Sequence, residues 1–209
     1  MSKVATVGAG HIGEAVARVS VHSGHQVLIS NSRSADTLKH LAKDIGAKAG
    51  TTAEAVKFGD IVLLAIPLYR VKDLDASLFK GKIVIDANNY YPSRDGHIPV
   101  LDAKKTTSTG YVEDLLPGAR LVKTFNSIFA GDIAVGKQKL ANGHKRALPI
   151  AGDDKEAKKA VTELLESIGY DVYDYGGISD SWRQEPNTPT YTVASDLEEL
   201  KKLIGEAKR

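Results

Sequence analysis

Between a short β-branched run at 4–7 and a helical pattern at 11–20 stands Gly8-Ala9-Gly10-His11-Ile12-Gly13, a complete G-x-G-x-x-G. Glycines at this spacing are common. Delivered by a strand and opening a helix, they mark a dinucleotide-binding turn. Gly8 permits the tight turn, Gly10 lets a pyrophosphate approach the backbone, and Gly13 lets the helix lie close on the strand. The helix opening at His11 and Ile12 then offers unpaired N–H groups and the positive end of its dipole to the phosphates. Ile12, Ala15, Val16 and Val19 share one face of that helix, the face a sheet would cover.

The rest of the chain repeats the strand–helix theme. A strand is expected at 27–29, then a helix at 34–45 with Leu38, Leu41 and Ile45 in register and Gly46 as its stop. Thr51 and Glu54 have capping-box spacing and open a helix that runs through Phe58. The continuous apolar run at 61–66 has the character of a strand buried on both faces. Strands follow at 82–85 and 120–124, joined through a helix around 111–116 that stops at Pro117-Gly118. A strand at 147–150, a helix at 153–168 and a strand at 170–175 complete the series. Beyond Ile178 the prolines 186 and 189 break regular structure, and a short charged helix at 197–206 ends the chain. Such alternation predicts an α/β fold, a Rossmann-like, doubly wound, mainly parallel sheet with an irregular C-terminal tail. Residues 1–178 are expected to form the dinucleotide-binding domain with its extended sheet. Residues 179–209 are expected to pack near the active site without forming an independent domain.

Several function classes drop out on composition. The chain has no cysteine, which excludes thiol nucleophiles, Cys-ligated metals and disulfide scaffolds. A net charge of +2 argues against nucleic acid or an anionic membrane as partner. Met1-Ser2-Lys3 runs straight into the first strand, so the expected location is cytoplasmic. Residues 131–138 nearly spell a P-loop but place Gln138 where a magnesium-binding hydroxyl is required. His22 and His25, and the basic cluster Lys137, Lys139, His144, Lys145 and Arg146, are read as solvated turns rather than sites, and no metal is expected.

Ligands of a doubly wound sheet bind beyond the carboxyl ends of its strands, so the residues just after each strand carry the chemistry. An NAD site wants a carboxylate at the end of the second strand. Here that place reads Ser30-Asn31-Ser32-Arg33-Ser34, with no carboxylate until Asp36. Asn31, Ser32 and Arg33 suit a ribose 2′-phosphate, because a guanidinium grips phosphate through a charged fork. Ser34 is placed to cap the following helix. The expected cofactor is NADP(H). Ala65-Ile66-Pro67 after the buried strand can hold the chain against that cofactor, and Asn88 or Asn126 can hydrogen-bond the nicotinamide amide or the substrate. Equally, Pro and Asn are ordinary loop starters.

Taken together, G-A-G-H-I-G, S-N-S-R-S, A-I-P, V-K-T-F-N-S and D-S-W-R-Q-E-P-N-T-P-T-Y resemble the NADP oxidoreductase, coenzyme F420-dependent family, over residues 3–191. That family includes archaeal NADPH:F420 oxidoreductases, bacterial relatives and the cytosolic reductase domain of mammalian metalloreductases. The resemblance implies an enzyme that moves hydride between NADP(H) and a flat small-molecule acceptor, a deazaflavin such as coenzyme F420 or a flavin. It also implies a homodimer. It places Asn126, Trp182 and Thr188 beside the acceptor, and a tryptophan face is well suited to stacking on such a ring. Trp182 also suits a plain anchor for the tail. Asn126 stands where the archaeal pattern has His, and Trp182 and Pro186 stand near its Arg and Ser, whereas Thr188-Pro189 matches. Phe125-Asn126 is similar to the bacterial and metalloreductase branches instead, which widens the acceptor to a flavin, a quinone or a metal chelate. Two alternatives stand beside this reading. One is a non-catalytic NADP(H) sensor. The other is a ketone or imine reductase, which needs a general acid, with Tyr90, Tyr91 and His97 as candidates.

Overall fold

A computed structural model describes residues 1–209. Strand β1 (Lys3–Val7) runs into the glycine turn and helix α1 (His11–His22) leaves it. Then come β2 (Gln26–Ser30), α2 (Lys39–Ile45), β3 (Lys48–Ala49), α3 (Thr52–Phe58), β4 (Ile61–Leu64) and β5 (Ile83–Asp86). Two single turns, α4 (Pro92–Asp95) and α5 (Pro99–Asp102), precede α6 (Ser108–Leu115) and β6 (Arg120–Lys123). The chain continues through β7 (Ala147–Ala151), α7 (Lys155–Ser167), β8 (Asp171–Gly176) and α8 (Leu197–Glu206). All eight strands form one sheet in the order β3-β2-β1-β4-β5-β6-β7-β8. No helix is long and apolar enough to cross a membrane.

The period of two along the strands divides the core into two layers. Ile61 and Leu63 of β4 face one side with Val16, Ala17 and Val19 of α1 and Val161, Leu164 and Leu165 of α7. Val62 and Leu64 face the other with Ala55 and Val56 of α3 and Val112 of α6. The apolar run is continuous because both of its faces are covered. The capping box forms as the spacing predicts: Glu54 N–H donates to Thr51 Oγ1 at 3.2 Å, and Thr51 N–H to Glu54 Oε2 at 2.7 Å.

Three elements differ from the sequence pattern. The helix expected at 34–45 starts as a 3-10 stretch, Ala35–Leu38, and Ser34 makes no side-chain cap. Instead the Thr37 hydroxyl donates to the Ser34 carbonyl at 2.7 Å, which tightens the first turn. Strand β7 meets β6 antiparallel, through the single pair Lys123↔Ala151. No crossover helix separates the two strands, and a parallel return requires one. The two-residue β3 was not expected; it is too short for a periodic signal.

The order reverses between β1 and β4, so a crevice opens there beyond the strand ends. The C-terminal segment crosses this end of the sheet. Ala147 N–H donates to Ser195 O at 2.9 Å, and Ser108 N–H and Oγ both donate to Glu185 Oε1 at 2.7 Å. Beyond it, Leu200 and Ile204 of α8 pack on Ala147.

Candidate functional site

The three glycines divide their tasks geometrically. Gly8 has φ +108°, and a Cβ there would collide with the Ala65 carbonyl. A Cβ on Gly13 would overlap the Gly8 carbonyl oxygen, so this residue sets how closely α1 rests on the turn. A Cβ on Gly10 would meet nothing within 4 Å. Its missing side chain is therefore not needed for packing. It leaves open the space over the α1 N-terminus, where the first-turn N–H groups have no intrahelical partner. That open cradle fits a pyrophosphate.

Beside it, Gly8 N–H donates to Ser30 O at 3.0 Å, which ties the glycine turn to the end of β2. Asn31 organises the next turn, its Oδ1 accepting from Arg33 N–H at 2.9 Å and its Nδ2 donating to Thr37 Oγ1 at 3.0 Å. Ser32 and Arg33 are exposed, and only the backbone N–H of Arg33 is engaged. The guanidinium is left for an anion.

From Gly10, His11 and Ile12 a cleft of about 470 Å³ extends across the ends of β4, β5 and β6. Ala65, Ile66 and Pro67 form an apolar wall after β4. Its floor rests on a fully buried ion pair, Lys123 Nζ to Asp86 Oδ2 at 3.0 Å. Such a pair is tolerable only when the remaining donors and acceptors are filled, and here they are. Lys123 Nζ also donates to the Asn88 carbonyl and to Ser108 Oγ, while Thr109 Oγ1 and Asn88 N–H donate to Asp86. The network pins the loop that follows β5.

On that floor two asparagines are held but incompletely satisfied. Asn88 Oδ1 accepts from Ile66 N–H at 3.2 Å, and its Nδ2 has no partner. Asn126 Nδ2 donates to Asn89 Oδ1 at 3.0 Å and to Gln184 O at 2.7 Å, and its Oδ1 has none. A buried unpaired polar atom costs about 1–3 kcal/mol. Both residues line the cleft, and this buried donor and buried acceptor are the pair that a primary carboxamide, the polar group of nicotinamide, would satisfy. Phe125, at φ +61°, makes the bend that carries Asn126 there, and its ring stands edge-on to Tyr170 at 6.4 Å.

The outer wall is aromatic. Phe129 lines it and is 60% exposed. Tyr91 and Tyr191 join their hydroxyls across it. Burial and the neighbouring Tyr91 push the Tyr191 phenol above its ordinary range. The Arg94 guanidinium sits 4.8 Å from the Tyr91 ring centre, donates to Asn89 O at 2.8 Å and pairs with Asp95 at 2.9 Å.

The structure thus gathers Gly10, His11, Ile12, Ala65, Ile66, Pro67, Asn88 and Asn126 around one cleft. Gly8 and Gly13 shape it from behind, and Asn31, Ser32 and Arg33 stand at the adjoining strand end. Trp182 and Thr188 lie elsewhere. They line a separate pocket of about 220 Å³ with Tyr90 and Lys104, and the indole is flanked by Arg183 at 4.6 Å and Arg209 at 6.0 Å. The 3-10 stretch Ile178–Gln184 turns Trp182 away while Gln184 O faces Asn126. Tyr90 and His97 are both spent on Asp102, at 2.6 and 3.0 Å. Tyr191, Thr192, Phe129 and Arg94 escaped the sequence reading, because only the fold shows that the tail returns over β6. His25 is structural, its ring bonded to Ser2 N–H and Ser167 Oγ. The basic cluster is largely paired internally, as His144–Asp196, Lys145–Asp171 and Arg146–Asp132.

Residues 3–90 match the family described as NADP oxidoreductase, coenzyme F420-dependent. Metalloreductase STEAP3 of Rattus norvegicus is 26% identical over 181 residues, 86% of this chain but only 35% of that protein. The chain therefore spans about a third of that relative's length. Hypothetical protein SMa0349 of Sinorhizobium meliloti superposes with a TM-score of 0.81 at 29% identity, covering 93% of this chain and 95% of its own. The candidate F420-dependent NADP-reductase of Arthrobacter sp. FB24 superposes with a TM-score of 0.73 at 25% identity, covering 87% of each chain. Over residues 3–90, which hold the glycine turn and the Asn88 loop, the chain is similar to the NADP oxidoreductase, coenzyme F420-dependent family.

Proposed function

We propose that the protein oxidises NADPH by passing hydride to a flat acceptor of flavin or F420 type bound in the β4–β6 cleft. The observation that carries the reading is the unpartnered pair, Asn88 Nδ2 and Asn126 Oδ1, buried on two residues that line the cleft beginning at the open face of Gly10. When bound, the reduced nicotinamide supplies the hydride. The chain's own residues supply position. The glycine turn and α1 N-terminus hold the pyrophosphate, Ser32 and Arg33 the 2′-phosphate, and Asn88 and Asn126 the carboxamide. Ala65, Ile66 and Pro67 keep water from the reacting faces, and close, dry approach of two rings is most of what hydride transfer asks of a protein. Phe129, Tyr91 and Tyr191 offer an aromatic wall to the acceptor. This role moves to them from Trp182, which serves as an anchor for the segment that bears Tyr191. Homodimer formation and a cytoplasmic location belong to the same proposal.

The test is anaerobic NADPH oxidation with F420, FMN, a quinone or a ferric chelate in turn. The expected result is turnover with F420 or FMN, faster with NADPH than with NADH. Tight NADPH binding without oxidation by any acceptor would replace the enzyme with a sensor.

A further inference from the structure

Tyr91 follows β5 and Tyr191 lies in the C-terminal segment, yet their hydroxyls are hydrogen-bonded to one another in the cleft wall. Neither hydroxyl has a second partner in the protein. Two phenols carry two hydroxyl hydrogens, and the bond between them uses one. The other is free to be donated into the cleft. The pair is also held in place. Thr192, a β-branched residue at φ +61°, turns the chain beside Tyr191 and is anchored by its N–H to Ser127 O at 2.9 Å. A non-glycine residue in this region costs about 1–3 kcal/mol and persists where its surroundings demand it. Arg94 lies over the Tyr91 ring, fixed by Asp95 and the Asn89 carbonyl, and leads from the pair toward solvent.

We propose that Tyr191 is the proton donor of the reaction at this cleft and that Tyr91 resupplies it. The proposal rests on the functional reading above. A bound NADPH would supply one hydrogen and two electrons, and the reduced acceptor would then take up one proton. The Tyr191 O–H would give that proton, the Tyr91 O–H would give its own to the Tyr191 oxygen, and water would restore Tyr91. The sum is NADPH, acceptor and one solvent proton on one side, and NADP⁺ and the two-electron-reduced acceptor on the other. Tyr191 is faced by Tyr91 and Arg94, with Asp95 behind the latter. Burial and Tyr91 push its pKa above the ordinary phenol range against the opposing pull of Arg94, so the phenol stays protonated at neutral pH.

The experiment compares wild type with Tyr191→Phe and Tyr91→Phe, oxidising saturating NADPH with FMN. Tyr191→Phe is expected to lower kcat about 10²–10⁴-fold. Its NADPH dissociation constant, read by fluorescence without acceptor, stays unchanged. The acid must be protonated, so kcat falls as pH rises through its pKa. Tyr91→Phe removes a raising influence and moves that alkaline limb to lower pH. An ultraviolet titration of the free protein reads the pair without turnover. One late-ionising phenol of the wild type moves to lower pH in Tyr91→Phe and is missing from Tyr191→Phe. A Tyr191→Phe protein with wild-type kcat and pH profile overturns the relay alone. A wild type that passes hydride to no acceptor overturns the functional reading and the relay with it.

Discussion

Arg33 brings its charge into open solvent at the tip of β2, on a turn that Asn31 holds from both sides. Nothing in the chain neutralises it, whereas Arg18, Arg120 and Arg146 each meet a carboxylate within 3.0 Å. An unpaired guanidinium beside a dinucleotide turn that lacks the usual carboxylate is what a 2′-phosphate requires. Arg33→Ala is therefore expected to weaken NADPH binding about ten- to a hundredfold through lost charged hydrogen bonds. NADH, which has no 2′-phosphate, is expected to bind as before. Calorimetric titration of both cofactors checks this, and equal losses for the two would make Arg33 a support of the loop instead. This residue was readable from sequence because its neighbours are local. Asn88 and Asn126 were readable only as candidates, since what distinguishes them is which of their amide atoms the folded chain leaves without a partner.

Within one turn, Gly10 and Gly13 are held for opposite reasons. Gly13 is needed by the fold, because any Cβ there runs into the Gly8 carbonyl; a Cβ on Gly10 meets nothing, and only the pyrophosphate proposed over α1 would require its absence. Gly10→Val is expected to abolish binding of both dinucleotides while the melting temperature of the free protein hardly moves. Gly13→Ala is expected to destabilise the free protein by about 1–3 kcal/mol or more, as overpacking does. Thermal melts and NADPH titrations on the two variants separate the cases, and an unaffected NADPH affinity in Gly10→Val removes the pyrophosphate from this turn. Elements with a strong local pattern came out of the sequence well. The apolar run of β4 and the Thr51–Glu54 box are set by contacts within a few residues or by burial on both faces. The antiparallel entry of β7 and the 3-10 opening before α2 were not legible. The first depends on a single long-range pair and the second on which hydroxyl reaches the Ser34 carbonyl.

Across the whole molecule, function depends on one long return of the chain. In the proposed site the strand ends supply the cofactor half of the cleft, and their positions follow from the doubly wound pattern that the sequence displays. The acceptor half proposed for it depends on the tail, whose path over β6 is fixed by Thr192 N–H on Ser127 O and Asn126 Nδ2 on Gln184 O. These bonds span 65 and 58 residues of sequence, and no periodicity encodes them. Hence Trp182 is conspicuous in the sequence while Tyr191, nine residues on, lines the cleft. The central claim is that the open face at Gly10, the free guanidinium of Arg33 and the two unpartnered asparagine atoms form one continuous NADP(H) site. A crystal structure with NADP⁺ bound measures it directly. The account predicts the pyrophosphate over Gly10, the 2′-phosphate on Arg33 and the carboxamide between Asn88 Nδ2 and Asn126 Oδ1. A nicotinamide ring found outside the β4–β6 cleft, with both asparagines still unpaired, would contradict it.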